Sequence, residues 1–560
     1  MKNRTLVTSA LPYINGIKHL GNLVGSMLPA DVYARFLRQR GEEVLFICGT
    51  DEHGTPAEIA AAEANVPVEE YCRQQYDVQR RIYQSFEISF DHFGRSSGKK
   101  NAEVTQAIFE DLDQNGLIEE REISMFYSVE DARFLPDRYV SGTCPKCGFQ
   151  DARGDQCDSC GSLLEPTELI SPRSSLSGSP DLELKSSWHL YLRLDEVTDQ
   201  VTSWLDTHPE WPSTVTGIAR KWLTEGLRPR GITRDLTWGV PVPKAGYTEK
   251  VFYVWFDAPM AYISFTKEWA AASGHSEDWQ RWWQRPEEVR LVQFMAKDNV
   301  PFHAIFWPAM LLGSGRTWSM ADYIKGFNWL TYEGGKFSTS RRRGIFTDQA
   351  LALYPADYWR YYLCANAPES DDSNFTFEHF AGVINKDLAD ILGNFVNRVA
   401  TLTSKHFPGG LEQGFLPDAE LQERMSELVE EFTRSLSSMK FRAASAAIRQ
   451  LWVLGNEYIT RQEPWKLVKT DRGLASNVLK NCFWSMQVSS AVAWPVVPSL
   501  SRDLRAILGL PGDPGNSPPQ LDDIAWLKGH YVPTDARLFV EKIQIEDVEG
   551  MKKAYSGAAD

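Results

Sequence analysis

Three stretches of this chain carry residue types and spacings that could do chemistry. The first runs Ala10-Leu11-Pro12-Tyr13-Ile14-Asn15-Gly16 and leads to His19-Leu20-Gly21-Asn22. An apolar strand pattern gives way here to a helix that opens with an imidazole, a glycine and a carboxamide. Free N–H groups and the partial positive charge of a helix N-terminus suit a phosphate chain. Gly21 has no side chain, so a flat base could lie on its backbone. Alone, the pattern reads equally well as a capping histidine followed by a packing glycine. The second stretch runs from Phe327 through a Gly334-Gly335 turn to Lys336-Phe337-Ser338-Thr339-Ser340 and then Arg341-Arg342-Arg343. A mobile cationic loop can stabilise negative charge that builds on phosphorus under attack; its bland counterpart is a solvated basic loop. The third is Cys144-Pro145-Lys146-Cys147, nine intervening residues, then Cys157-Asp158-Ser159-Cys160, with Gly148 and Gly161 after each pair. Paired CxxC knuckles with turn glycines predict a tetrahedral thiolate site. With no position left for water, the metal is expected to be a structural zinc.

Elements must hold these residues in place. Thr5–Ser9 and Val44–Cys48 read as buried strands around a helix from Leu20 to Arg40 that Gly41 closes. Gly49-Thr50-Asp51-Glu52-His53-Gly54 follows the second strand at once. Val251–Trp255 and Leu291–Met295 read as further strands. The alternation predicts an α/β fold with a Rossmann-type doubly wound parallel sheet, which binds ligands beyond the carboxyl ends of its strands. Between about Arg121 and Lys250 the cysteine cluster and the Ser/Pro-rich run Ser171–Pro180 predict an insertion. From Asn385 the chain turns helical. Leu388, Ile391, Leu392, Phe395 and Val399 keep a helical period, and further runs fill Leu421 to Trp494. Leu510-Pro511-Gly512-Asp513-Pro514-Gly515 reads as an exposed loop. Asn394 and Arg398 share a helix face, and Trp465 follows Pro464; unaided, these read as a surface pair and a buried indole.

The bulk numbers set bounds on all of this. A chain of 560 residues needs about three or four domains. Apolar content of 43% and charged content of 24% fit a globular protein. No apolar run reaches the ~18 residues of a membrane span, and no leader is read before Thr5, so a cytoplasmic protein is expected. Eight cysteines, four of them clustered, suggest metal in a reducing compartment rather than a disulfide scaffold. A net charge of −15 counts against a simple nucleic-acid binder, though not against RNA held by a local basic face.

At this point the residues resemble a known family, the methionyl-tRNA synthetases of class I. HLGN (His19–Asn22) resembles that family's HIGH motif and KFSTS (Lys336–Ser340) its KMSKS motif. LPYING, GTDEHG, VWFDAP (Val254–Pro259), KDNVPFH (Lys297–His303) and FWPAML (Phe306–Leu311) match as well, from residue 5 to about 470. The resemblance implies a catalytic set of His19, Asn22, Lys336 and Thr339. It implies ATP binding by His19, Gly21, Asn22, Asp298, Lys336 and Thr339. A methionine pocket of Ala10, Leu11, Tyr13, Asp51, Trp255, Ala258, Pro259, Tyr262 and His303 is implied too, with one zinc on Cys144, Cys147, Cys157 and Cys160. Asn394, Arg398 and Trp465 are implied as readers of a CAU anticodon. Aromatic walls suit a thioether and a carboxylate suits an ammonium; stacking on indole suits an unpaired base.

The implied protein is a methionine–tRNA ligase using ATP, Mg²⁺ and structural Zn²⁺ on tRNA(Met), initiator included. It is expected to be a cytoplasmic monomer without membrane contact. Expected domains are a Rossmann domain at 1–120 and 251–340, a connective insertion at 121–250 and a stem-contact region at 341–385. A helical anticodon domain at 386–536 and a tail at 537–560 complete the chain. Two positions depart from the motifs: Asn22 replaces the second histidine and Thr339 the second lysine, for which an arginine of Arg341–Arg343 is expected to substitute. The competing readings are a relative specific for leucine, isoleucine or valine, which the short insertion disfavours, and a weakened tRNA-binding paralogue. Retention of His19, Asp51 and Lys336 disfavours the latter.

Overall fold

The computed structural model describes residues 2–154, 157, 159–160, 162, 164–338, 342–510, 512–514, 525–528 and 540–557. Its centre is a parallel sheet. The strands are β1 (Arg4–Ser9), β2 (Glu43–Thr50), β3 (His92–Arg95), and, beyond the antiparallel pair β4 (Ile118–Ser128) and β5 (Leu182–Leu192), β6 (Val289–Ala296) and β7 (Ala321–Phe327). The sheet order is β7-β6-β1-β2-β3. Parallel strands need both faces covered, and Leu6, Val7, Leu45, Phe46, Ile47, Leu291 and Val292 are all buried. β1 pairs with β2 on one side and β6 on the other. The strand order reverses there, which is where an open α/β sheet leaves a crevice at its carboxyl edge.

One helical run follows β1: α1 (Leu20–Asn22), a π-helical turn (Leu23–Met27) and α2 (Leu28–Gln39), all right-handed across the joints. Gly41 ends it with a φ of 79°. The far side of the sheet is covered by α3 (Ala261–Ala272). Its Phe265 lies so close to β2 and β3 that a Cβ at Gly49 or Gly94 would sit 2.3 Å from the ring; only glycine admits this contact.

One strand expectation is corrected. Val251–Trp255 forms a two-residue strand, Val251–Phe252, antiparallel to Thr233–Arg234, and a helical turn starts at Val254. A short apolar run does not by itself distinguish a strand from a buried helical turn. In the insertion β4 pairs antiparallel with β5 from Ile118↔Leu192 to Ser128↔Leu182, so Arg121 falls inside a strand.

The helical region includes α4 (Asn394–His406), α5 (Ala419–Ser437), α6 (Phe441–Gln462), α7 (Pro464–Thr470) and α8 (Arg472–Ala493). The stretch before α4, Ile384–Gly393, is π-helical, yet it buries Leu388 and Leu392 as the spacing predicts. Its core is continuous with one face of the sheet. A buried ion cluster fastens the two. Arg360, fully buried, donates to Asp31 Oδ2 at 2.7 Å and to the carbonyls of Phe86, Pro495 and Val496. In the predicted loop after α8, Gly512 has a φ of 68°, while Pro511 and Gly515 lie outside the described residues.

Candidate active site

A cavity of about 1060 Å³ opens at the carboxyl edge of the sheet, walled by the ends of β1 and β6, the start of α1, the Lys336 loop and the insertion. Ala10, Leu11, Tyr13, His19, Gly21, Asn22, Trp255, Asp298 and Lys336 line it. These come from five separate motifs, and the fold brings them to one crevice.

His19 is the N-cap of α1. Its Nδ1 accepts the Asn22 backbone N–H at 3.3 Å, while Asn22 Oδ1 accepts the His19 N–H at 3.2 Å. The asparagine that replaces the motif's second histidine is therefore engaged in closing the helix end, as capping residues do. Burial, and then the Lys18 ammonium, pushes the His19 imidazolium down to about 3. The ring is thus neutral at pH 7. With Nδ1 accepting, its proton belongs on Nε2, free to donate to a ligand. A Cβ on Gly21 would stand 3.0 Å from this ring. Phe337 stacks on it with centroids 4.4 Å apart and planes at 13°, docking the Lys336 loop on the helix start. That loop closes through the reciprocal backbone bonds of Ser338 and Arg343. The Arg343 guanidinium is turned back onto the carbonyls of Tyr332 and Glu333. Arg342 is exposed, and Thr339 and Arg341 lie outside the described residues.

Asp51 stands one residue past β2, 3% exposed, and its Oδ1 has no hydrogen-bond partner. Backbone bonds from Ile14 to Asp51 and from Asp51 to Pro12 tie it beside Tyr13. Burial, then the carboxylates of Asp257 and Glu52, raises its carboxyl well above the ordinary range. Tyr262 and His303 form a buried pair, Oη to Nε2 at 3.0 Å. His303 Nδ1 lies 2.9 Å from the Asn299 carbonyl, so Nδ1 donates and Nε2 accepts from the phenol. Burial pushes His303 down to about 4, keeping it neutral. Asp51, Ala258, Pro259, Tyr262 and His303, expected in the methionine pocket, are not among the residues that line this cavity. Trp255 does line it, stacked on Phe302 at 3.5 Å and edge-on to Tyr13 at 6.2 Å.

Sequence reasoning missed Phe302, which its place beside His303 in KDNVPFH could have signalled. It also missed Arg234, whose guanidinium lies 4.0 Å over Tyr253, both residues lining the cavity, and Lys18, one residue before the HLGN motif.

Two further groups do not line the cavity. The sulfurs of Cys144, Cys147, Cys157 and Cys160 all fall within 4.8 Å of one another, with Cys144–Cys160 at 4.0 Å and Cys147–Cys157 at 3.6 Å. Tetrahedral ligands at about 2.3 Å from zinc would stand about 3.8 Å apart. In the helical region the Arg398 guanidinium lies 5.6 Å over the Trp465 ring and donates to Thr460 Oγ1. Asn394 is exposed one turn earlier on α4, and Trp465 is half-buried.

Comparison with known proteins agrees along the whole chain. Residues 5–400 match the family described as tRNA synthetases class I (M), and residues 408–560 match the anticodon binding domain of methionyl tRNA ligase. The chain is 53% identical to methionine–tRNA ligase 1 of Acaryochloris marina, over 99% of this chain and 100% of that one. It is 50% identical to methionine–tRNA ligase of Streptomyces avermitilis over the full length of both. A solved structure of Mycobacterium tuberculosis methionyl-tRNA synthetase in complex with methionyl-adenylate superposes with a TM-score of 0.74 at 25% identity. That match covers 96% of this chain and 98% of the other.

Proposed function

The chain belongs to the methionine-type class I tRNA synthetases and is a methionine–tRNA ligase, and we propose that it forms methionyl-adenylate in the crevice between β1 and β6 before charging tRNA(Met), initiator included. The observation that carries this placement is the unpartnered Oδ1 of Asp51, a buried carboxylate oxygen in want of a cation. A substrate ammonium supplies one. Tyr13, Trp255 and Phe302 give the thioether a polarizable aromatic wall, where sulfur–ring contacts contribute ~0.3–1.5 kcal/mol. Ala258, Pro259 and the Tyr262–His303 pair form the floor behind it.

ATP lies over Gly21 with its phosphates towards the α1 N-terminus, where His19 Nε2–H donates to a phosphate oxygen. Asp298 and Asn22 flank the nucleotide, and Lys336 reaches it from the loop, in which the sequence also names Thr339 for this role. Mg²⁺ travels on the phosphates: among the described residues, the four cysteines are the one group of three or more metal-ligating side chains, and Mg²⁺ is commonly held by substrate phosphates. Those thiolates fit zinc in number, spacing and chemistry. Cys144, Cys147, Cys157 and Cys160 would hold one ion, which would close the knuckle and take no part in adenylation. Asn394, Arg398 and Trp465 form the anticodon-reading face. The domain limits at 1–120, 121–250, 251–340, 341–385, 386–536 and 537–560 follow this division of labour. We take the enzyme to act as a monomer in the cytoplasm; that all eight cysteines are free supports a reducing compartment.

Pyrophosphate exchange with each of the twenty amino acids tests the reading. Methionine should drive exchange best, and exchange driven best by leucine, isoleucine or valine would overturn it.

A further inference from the structure

The cavity holds a cation with no role in the site described so far. Lys18 lines it, 9% exposed. Its Nζ donates to Asn15 Oδ1 at 2.8 Å, a neutral partner, and among the described residues it forms no ion pair. Its backbone carbonyl accepts from both the N–H and the hydroxyl of Thr347, which fixes the residue against the segment that follows the Lys336 loop.

Two groups interact electrostatically with this ammonium, and they stand at the two ends of the reaction. Asp51 raises the pKa of Lys18, and Lys18 lowers that of His19. Asp51 is where the substrate ammonium is held on the reading above, and His19 is where the phosphates lie. The substrate carboxylate is two bonds from its ammonium nitrogen, so it meets the α-phosphate between those ends, near Lys18. The loop, meanwhile, has Thr339 where its motif carries a second lysine. Thr339 has a neutral side chain, Arg343 is committed to the carbonyls of Tyr332 and Glu333, Arg342 is exposed, and Arg341 lies outside the described residues.

We infer that Lys18 is a catalytic residue of adenylate formation, its ammonium donating to the α-phosphate oxygens in place of the lysine absent at Thr339. The inference rests on the methionine-activation reading above. In the step, a carboxylate oxygen bonds to the α-phosphorus and the bond from that phosphorus to the pyrophosphate oxygen breaks. Pyrophosphate leaves with the electron pair, and no proton moves. Lys18 keeps its three protons and supplies charge where it accumulates. Burial holds Lys18 near 7 in the free enzyme; an incoming phosphate chain favours the ammonium again, and in a dry cavity that charge acts more strongly than in water. A compact ammonium with three donors suits so confined a place better than a guanidinium fork.

Lys18→Gln separates charge from packing, because the amide can keep the hydrogen bond to Asn15. Single-turnover adenylate formation in Lys18→Gln should fall by about 10²-fold or more, with the methionine KM and the thermal midpoint close to parental values. Adding Thr339→Lys should return at least about tenfold of that loss, since it restores one donor of the same kind. Should Lys18→Gln fail to fold, Lys18→Met read by the same three measurements decides in its place. A parental rate in the charge-free variant, or a slowed variant that Thr339→Lys does not improve, overturns the role of Lys18. A parental enzyme that shows no methionine-dependent exchange overturns instead the reading on which it rests.

Discussion

Asp51 carries the proposed substrate contact on a single unpartnered oxygen. A buried carboxylate with an orphaned oxygen is costly unless a cation completes it, and among the described residues none stands within hydrogen-bond reach of Oδ1. Asp51→Asn keeps the shape and removes the charge. Breaking one member of a buried pair costs about 3–5 kcal/mol, so kcat/KM for methionine in pyrophosphate exchange should fall by about 10²-fold or more. A loss of less than tenfold would place the ammonium elsewhere. The same environment sets a pH dependence. Because burial and the Asp257 and Glu52 carboxylates raise the folded-state value of Asp51, acidification protonates it before ordinary carboxylates. Methionine affinity should therefore weaken as pH falls, beginning well above pH 3.8, and methionine binding below that onset should release a proton. A methionine KM flat across that range would contradict the assignment. At this scale several motif residues were legible, since Tyr13, His19 and Trp255 line the crevice, whereas Asp51, named by its own motif, does not. The sequence was silent on Lys18, because burial of a lysine depends on what packs around it and not on its neighbours in the chain.

Among the elements, the insertion and the helix junction make separable contributions. If one zinc closes the knuckle, metal analysis should find about one per chain, and Cys157→Ser should impair tRNA charging more than methionine activation. The knuckle scaffolds the insertion, and none of its cysteines lines the cavity; charging that survives in metal-free protein would remove the zinc from the account. The cluster of Asp31 and Arg360 is a different test. Asp31→Ala leaves a fully buried guanidinium without its carboxylate, at a cost of about 3–5 kcal/mol, and should lower the thermal midpoint measurably. A midpoint unchanged by the substitution would mean that the backbone carbonyls around Arg360 suffice. The strands β1, β2 and β6 were legible because fully buried parallel strands read as continuous apolar runs. Val251–Trp255 was not, since the same kind of run also fits a buried helical turn. The Asp31–Arg360 tie was out of reach altogether: its partners lie 329 residues apart, and no periodicity announces such a pair.

At the scale of the whole molecule, the crevice and the Arg398–Trp465 pair are separate parts joined by one continuous core. Trp465 packs against the same apolar cluster that covers the sheet, yet no residue beyond Asp372 lines the cavity. The half-buried indole has one face near the Arg398 guanidinium, and Glu463, with a φ of 48°, turns the chain between α6 and α7 so that Trp465 meets α4. An indole and a guanidinium presented together form a platform on which an unpaired base can stack. Loss of one base–aromatic stack costs ~1–3 kcal/mol. Trp465→Ala should therefore raise the KM for tRNA and lower kcat/KM for charging by roughly 5- to 150-fold, while methionine-dependent pyrophosphate exchange stays near the parental rate. The split is the test. A core role for Trp465 would loosen the shared cluster and reach the sheet, so both reactions would decline together with the thermal midpoint. An anticodon role confines the damage to the reaction that needs tRNA, and changing the anticodon bases of the tRNA should then cost the Trp465→Ala enzyme less than it costs the parent.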